Sequence, residues 1–271
     1  VPRAFKLTIA YDGTDFAGWQ VQPGQQTIQG NLHRALQKIT GNDVHVVGSG
    51  RTDAGVHAIA QVASLTLPNW RHSAGDLMRA INVHLPETIA VTDALDAPEN
   101  FHAIRDAIGK RYRYQLQIGG PRDVIDFRYR WRLKGPLRLD NVRIAASAFV
   151  GRHDFASFQA AGGQRKSTIR TVAACDVIEQ GCDPVGRHHV AIEIEADGFL
   201  YNMVRNIVGT LVEVGWGRRT PDSIAEILAR GDRDAAGQTA PANALFLLRV
   251  DYEPFDCSRL SNISKLQHST S

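Results

Sequence analysis

Long apolar runs are what this 271-residue chain most plainly lacks. None is more than a handful of residues, far short of the ~20 that carry a helix across a bilayer. The opening stretch "VPRAFKLTIAYDG" has no apolar run of signal-peptide length, so no export signal is expected. Cysteine is scarce. Cys175, Cys182 and Cys257 make an odd count with no zinc-type spacing, the pattern of free thiols in a reducing, cytoplasmic compartment. Net charge is only +3, too mild to define a partner by its sum. Nucleotide-binding fingerprints are missing as well. Gly48, Gly50 and Gly55 have the wrong spacing for a dinucleotide loop, and no Lys-Ser/Thr follows as in a phosphate-cradling one. With 43% hydrophobic and 22% charged residues, what remains is an ordinary globular chain, long enough for one large or two modest domains.

Charge is distributed less evenly than its sum implies. "KRYRY" (110–114), "FRYRWRLKGPLR" (127–138) and "RKSTIR" (165–170) concentrate cations, the first two interleaved with aromatics. Guanidinium groups read phosphate, and aromatic faces stack on unpaired bases. Any one patch could be an exposed strand of alternating charge. Three patches without matching acidic runs point to a polyanionic partner.

"AFKLTIAYDG" alternates and ends in Asp-Gly, a strand running into a turn. Ile28, Leu32, Leu36 and Ile39 recur at helical spacing. "DVHVV" and "VHAIAQVASLTL" read as strands on either side of "GSGRTDAG". "SAGDLMRAINVHLP" reads as a helix stopped by Pro86, and "IAVTDALDA" as a strand. A second cycle follows, with strands at "KRYRYQLQI", "STIRTVAACDVIEQ", "HHVAIEIEADGF" and "NALFLLRVDY". Its helices fall at "NVRIAASAFVG", "LYNMVRNIVGTLVEVG" and "PDSIAEILARG". The chain is therefore expected to be α+β. Two similar subdomains, 1–105 and 106–252, would share a mostly antiparallel sheet flanked by helices, and 253–271 would form a polar, weakly ordered tail.

Three places could carry chemistry. Asp53 sits in a glycine-rich loop between two strands. It is either a turn aspartate bonding its own loop or a carboxylate kept ionised as a nucleophile by a nearby guanidinium such as Arg51. Tyr112 shares a strand face with Tyr114 and Leu116, either as a core tyrosine or as a ring that packs on a base and moves a proton. Arg205 lies on the shoulder of the apolar stripe Leu200, Met203, Val204, Ile207, Val208 and Leu211. It either snorkels to solvent or is held to pair with an acid.

In combination, "YDGTDFAGWQ", "GRTDAGVHA", "RYRY" and "FLYNMVRNIVGTLVEVG" resemble the TruA family of tRNA pseudouridine synthases, in order and from Phe5 to about Tyr252. The resemblance implies the pseudouridine synthase fold and isomerisation of uridine to pseudouridine at positions 38, 39 and 40 of the tRNA anticodon stem-loop. It makes Asp53 the catalytic nucleophile, and Tyr112 the residue that stacks on the uracil and moves a proton. Arg205 becomes the partner of the aspartate, and Arg51 helps hold the displaced nucleotide. A homodimer and no metal or organic cofactor are also implied. Two positions depart from the family pattern. Ala244 stands where a glycine is usual, and Phe246 where a tyrosine is common.

The reaction breaks the N1–C1′ bond, turns the uracil and joins C5 to C1′, with neither a redox step nor net hydrolysis. One carboxylate suffices. A non-catalytic tRNA-binding protein on the same fold would need the basic patches but not Asp53. A glycoside hydrolase would want two flanking carboxylates, and only one candidate acid sits in such a loop.

Overall fold

The computed structural model describes residues 2–162 and 167–254. The tail beyond Pro254, Cys257, and Arg165 and Lys166 of the third basic patch lie outside the described residues. Ten strands, mostly antiparallel, and five α-helices make an α+β fold. By contact the chain divides into two compact units. One spans Val1–Ile108 with the chain from Leu247, and the other spans Gly109–Phe246.

The first unit contains β1 (Arg3–Tyr11), α1 (Ile28–Thr40), β2 (Val47–Gly48), β3 (His57–Leu67), α2 (Ala74–Val83) and β4 (Ile89–Ala97). Most of β10 (Leu245–Tyr252) belongs here too. The sheet runs β4-β1-β3-β10, with the short β2 also on β3. β1 pairs antiparallel with β3 and β4, burying Phe5, Leu7 and Ile9 from alternate positions. α1 answers its sequence pattern: Ile28, Leu32 and Leu36 are fully buried. The Thr27 hydroxyl caps its start by accepting from Gly30 N, and Gly41, at φ +70°, ends it in the left-handed region. Ser73 and Asp76 form a reciprocal capping box at the start of α2.

In the second unit β5 (Ala107–Ile118), β6 (Trp131–Leu133), α3 (Leu139–Ser147) and β7 (Gly151–Asp154) precede the long hairpin of β8 (Ile169–Cys182) and β9 (His188–Ala196). α4 (Met203–Gly215) and α5 (Ser223–Arg230) follow. The order is β5-β9-β8-β7, all antiparallel, with β6 parallel to β5. Tyr114, Leu116, Ile192, Ile194, Ile207, Val208 and Leu211 are among its fully buried side chains.

Three details differ from expectation. β6 and β7, of three and four residues, are too short to show a period. The helix expected through Gly151 stops at Ser147, because Phe149 turns into the core and Gly151, at φ +116°, opens β7. The third concerns charge. Acids do meet the "KRYRY" patch, but from neighbouring strands. Arg111 pairs with Glu193 (2.6 Å), Glu195 (2.9 Å) and Asp176 (2.9 Å), and Arg113 Nε donates to Glu193 at 2.7 Å. Burial pushes the Glu193 carboxyl up, but hydrogen bonds from Arg113 and Arg111 outweigh it and hold the group below the usual range. Both arginines are committed to this network.

Candidate active site

The Asp53 loop leaves β2 and enters β3, and its own sequence explains little of its shape. The segment 12–19, "DGTDFAGW", wraps it. Trp19 N donates to Thr52 O at 3.0 Å, and Val56 N closes the turn on Asp53 O at 3.1 Å. Two of the glycines are required by close approach. A Cβ on Gly13 would lie 2.0 Å from Val56 O, and one on Gly48 would enter the Trp19 ring at 2.3 Å. Gly48 of the motif and Gly13 of the wrapping segment thus let the two stretches of chain clamp together.

Behind the loop lies a buried polar network. Tyr11 Oη and Thr52 Oγ1 share a hydrogen bond of 2.8 Å. Gln61 Nε2 donates to Gly50 O at 2.9 Å, while Gln61 Oε1 accepts from Ser49 Oγ (2.6 Å) and Val62 N (3.1 Å). Gln61, Ser49, Tyr11 and Thr52 are all buried. Burial pushes the Tyr11 phenol up to about 12, so it stays neutral at physiological pH. With Thr52 turned inward, its neighbours face outward: Arg51 is exposed and Asp53 half-buried.

In the second unit Tyr112 lies on β5 opposite Ile194 of β9. It is buried, with its ring edge-on to Phe199 at 5.0 Å. Tyr114, two residues on, is fully buried and donates to Pro241 O at 2.8 Å. Burial raises its phenol well above the ordinary tyrosine value, against the pull of the Arg205 charge.

Arg205 is half-buried in the first turn of α4, on the shoulder its spacing predicts. Its Nε donates to Ala240 O at 2.8 Å and its Nη1 to Asn202 Oδ1 at 2.9 Å. Its own carbonyl accepts from Ala240 N at 3.1 Å. The segment 237–241 that anchors Arg205 therefore anchors Tyr114 as well. That segment lies tight on α4: a Cβ on Gly209 would sit 1.7 Å from Gln238 O. Asn206, fully buried, ties further chain to the helix. It donates to Phe158 O (2.8 Å) and accepts from Arg233 Nη2 (3.0 Å) and Thr239 Oγ1 (2.7 Å).

Arg51 and Asp53 thus belong to one unit, Tyr112 and Arg205 to the other. Ala244 is fully buried at the end of a 3-10 turn before β10. The sequence reading did not single out Tyr11, Gln61 or Asn206. A signal was present for Gln61, the one amide within the apolar run of β3.

The family model described as tRNA pseudouridine synthase matches residues 7–105 and 145–253. The chain belongs to the tRNA pseudouridine synthase family. The tRNA pseudouridine synthase A of Syntrophotalea carbinolica is 42% identical over 252 residues, covering 93% of this chain and 97% of that protein. That of Brevibacillus brevis is 42% identical over 256 residues, covering 92% and 100%. The Latilactobacillus sakei protein is 40% identical over 252 residues, covering 93% and 99%. A solved structure of an unknown protein from Galdieria sulphuraria aligns over 80% of this chain and 94% of its own at 10% identity, with a TM-score of 0.24. As a member of the synthase family the chain is an isomerase that converts uridine in tRNA to pseudouridine. Arg51, Asp53 and Arg205 fall within the matched blocks, whereas Tyr112 falls between them. Among the described residues no helix is long and apolar enough to cross a membrane.

Proposed function

We propose that this synthase isomerises uridines 38, 39 and 40 of the tRNA anticodon stem-loop, with Asp53 as nucleophile and without metal or organic cofactor. The observation that carries the reading is how Asp53 is held. A loop fixed by a wrapping segment and a buried polar network presents one half-exposed carboxylate, the preorganisation a nucleophile needs.

The target base must leave its stack, at a cost of a few kcal/mol. Contacts to phosphate offset that cost, and Arg51, exposed beside Asp53, helps hold the displaced nucleotide. Arg205 serves as charge partner of the aspartate and keeps it ionised. Tyr112 stacks on the uracil and exchanges the proton at C5. The glycosidic N1–C1′ bond breaks, the ring turns, C5 bonds to C1′, and the C5 hydrogen leaves as a proton. A cytoplasmic homodimer completes the reading.

Tritium release from tRNA transcribed with 5-tritiated uridine tests it. Wild type should release tritium, and Asp53→Ala should lose at least about 10³-fold in rate while binding tRNA nearly as well. Normal release by Asp53→Ala would remove the aspartate from the mechanism. No release by a wild type that binds tRNA would leave a binding protein.

A further inference from the structure

Between β5 and β6 the second unit carries a connection that is firmly built yet turns its apolar side chains to water. Val124 is 67% exposed, Ile125 79% and Phe127 50%. Such exposure at a floppy tip would need no comment, but this connection is tied down throughout. Gln117, itself buried, donates to Gly119 O at 3.0 Å and Pro121 O at 2.8 Å. Asp123 Oδ1 accepts from Ile125 N (2.9 Å) and Asp126 N (3.0 Å), and its Oδ2 pairs with Arg187 at 2.8 Å. Asn243 Nδ2 reaches Phe127 O at 3.2 Å. These bonds hold the backbone at several points and leave the apolar side chains outside, which is how a preformed contact surface is made.

The surroundings are cationic. Arg122 and Arg128 are exposed, and the Arg128 guanidinium lies 5.8 Å from the Phe127 ring centroid. The Asp123 carboxylate is paired with Arg187 at 2.8 Å and the Asp126 carboxylate lies 3.8 Å from Arg130 Nε, so each acid of the segment is matched to an arginine other than Arg122 and Arg128. Among the described residues neither Arg122 nor Arg128 has an acidic partner, and an aromatic ring beside such guanidinium groups suits a chain of phosphates with stackable bases. The family's substrate is such a chain. Along β5, Ile118 at the foot of this connection is six residues beyond Tyr112, roughly 20 Å at strand rise. One nucleoside cannot span that distance, but tRNA can. The whole stretch lies outside the two blocks matched by the family model.

We infer that residues 122–128 form an auxiliary tRNA-gripping surface, in which Arg122 and Arg128 contact phosphates and Phe127 stacks on an unpaired base. The inference rests on tRNA being the substrate and not on the role of Asp53.

The experiment is tRNA binding by the full chain, measured from 50 to 200 mM salt. Arg122→Ala/Arg128→Ala should weaken binding about tenfold and flatten the plot of log K against log salt by about 1.5 to 2, the loss of two phosphate contacts. Phe127→Ala should weaken binding about tenfold with the slope unchanged. Thermal melts of both variants should match wild type. Unaltered affinity and slope in the double variant would overturn the inference. So would Val124→Ser/Ile125→Ser lowering the mass of the assembly in sedimentation equilibrium while tRNA affinity holds, which would make this a protein contact. Because binding is measured in place of turnover, the result stands apart from that of Asp53→Ala.

Discussion

Asp53 and Arg205 are each held by chain from elsewhere in their own unit, but the means differ. The Asp53 loop has no ladder of its own. Its carbonyls are met by single donors, Gly50 O by the Gln61 amide and Thr52 O by Trp19 N. Arg205 sits on a helix whose backbone satisfies itself. α4 is placed by the closeness of 237–241, where Gly209 leaves no room for a methyl group against Gln238 O. Close approach serves both mounts, at Gly13 and Gly48 as at Gly209, but the loop also needs a buried amide to satisfy a carbonyl that a helix satisfies within its own backbone. Loss of that amide should damage the loop, whereas α4 should be most sensitive to added volume at Gly209.

The sharpest test of that contrast is Gly209→Ala. On helix propensity alone it would stabilise by about 1 kcal/mol. The contact with Gln238 predicts a loss of about 3 kcal/mol, read by urea denaturation. A gain would mean that the helix is not placed by close approach.

Gln61→Leu should come next, at about 2 kcal/mol, because Gly50 O and the Ser49 hydroxyl lose their buried partner. At a temperature where the variant is fully folded, its kcat should still fall about tenfold or more, with little change in tRNA binding. A folded Gln61→Leu enzyme with wild-type kcat would show that the network does not set the aspartate's geometry.

The smallest effect belongs to a surface cap far simpler than either mount. Hydrogen bonds from Ser73 and Arg79 lower Asp76 from the usual 3.8 to about 2. Its capping box is therefore at full strength above about pH 4 and is lost as pH falls through about 2. The melting temperature of wild type should exceed that of Asp76→Asn near neutrality, and the gap should close over that window. A gap independent of pH would mean that the ionised carboxylate is not what caps α2.

Much of this was legible without coordinates. α1, α2, α4 and α5 show a helical period, and the long strands alternate or carry β-branched runs. Arg205 lies on the shoulder where its position along α4 put it. β6 and β7 escaped because three or four residues carry no period. The acidic partners of Arg111 escaped for another reason. Cross-strand register brings Glu193 and Glu195 of β9 and Asp176 of β8 to one sheet surface, and pairing between distant strands leaves no local trace.

The sequence by itself determined the α+β class and the family, and it singled out the carboxylate of "GRTDAGVH". These rest on local spacing and motif, which travel with the chain. Tertiary structure alone decided which groups hold that carboxylate's loop and which arginines are already spent on acids. It also decided that residues 122–128 present apolar side chains on a fixed frame. Each of these turns on what a side chain meets after distant segments pack, and adjacent residues carry no record of that.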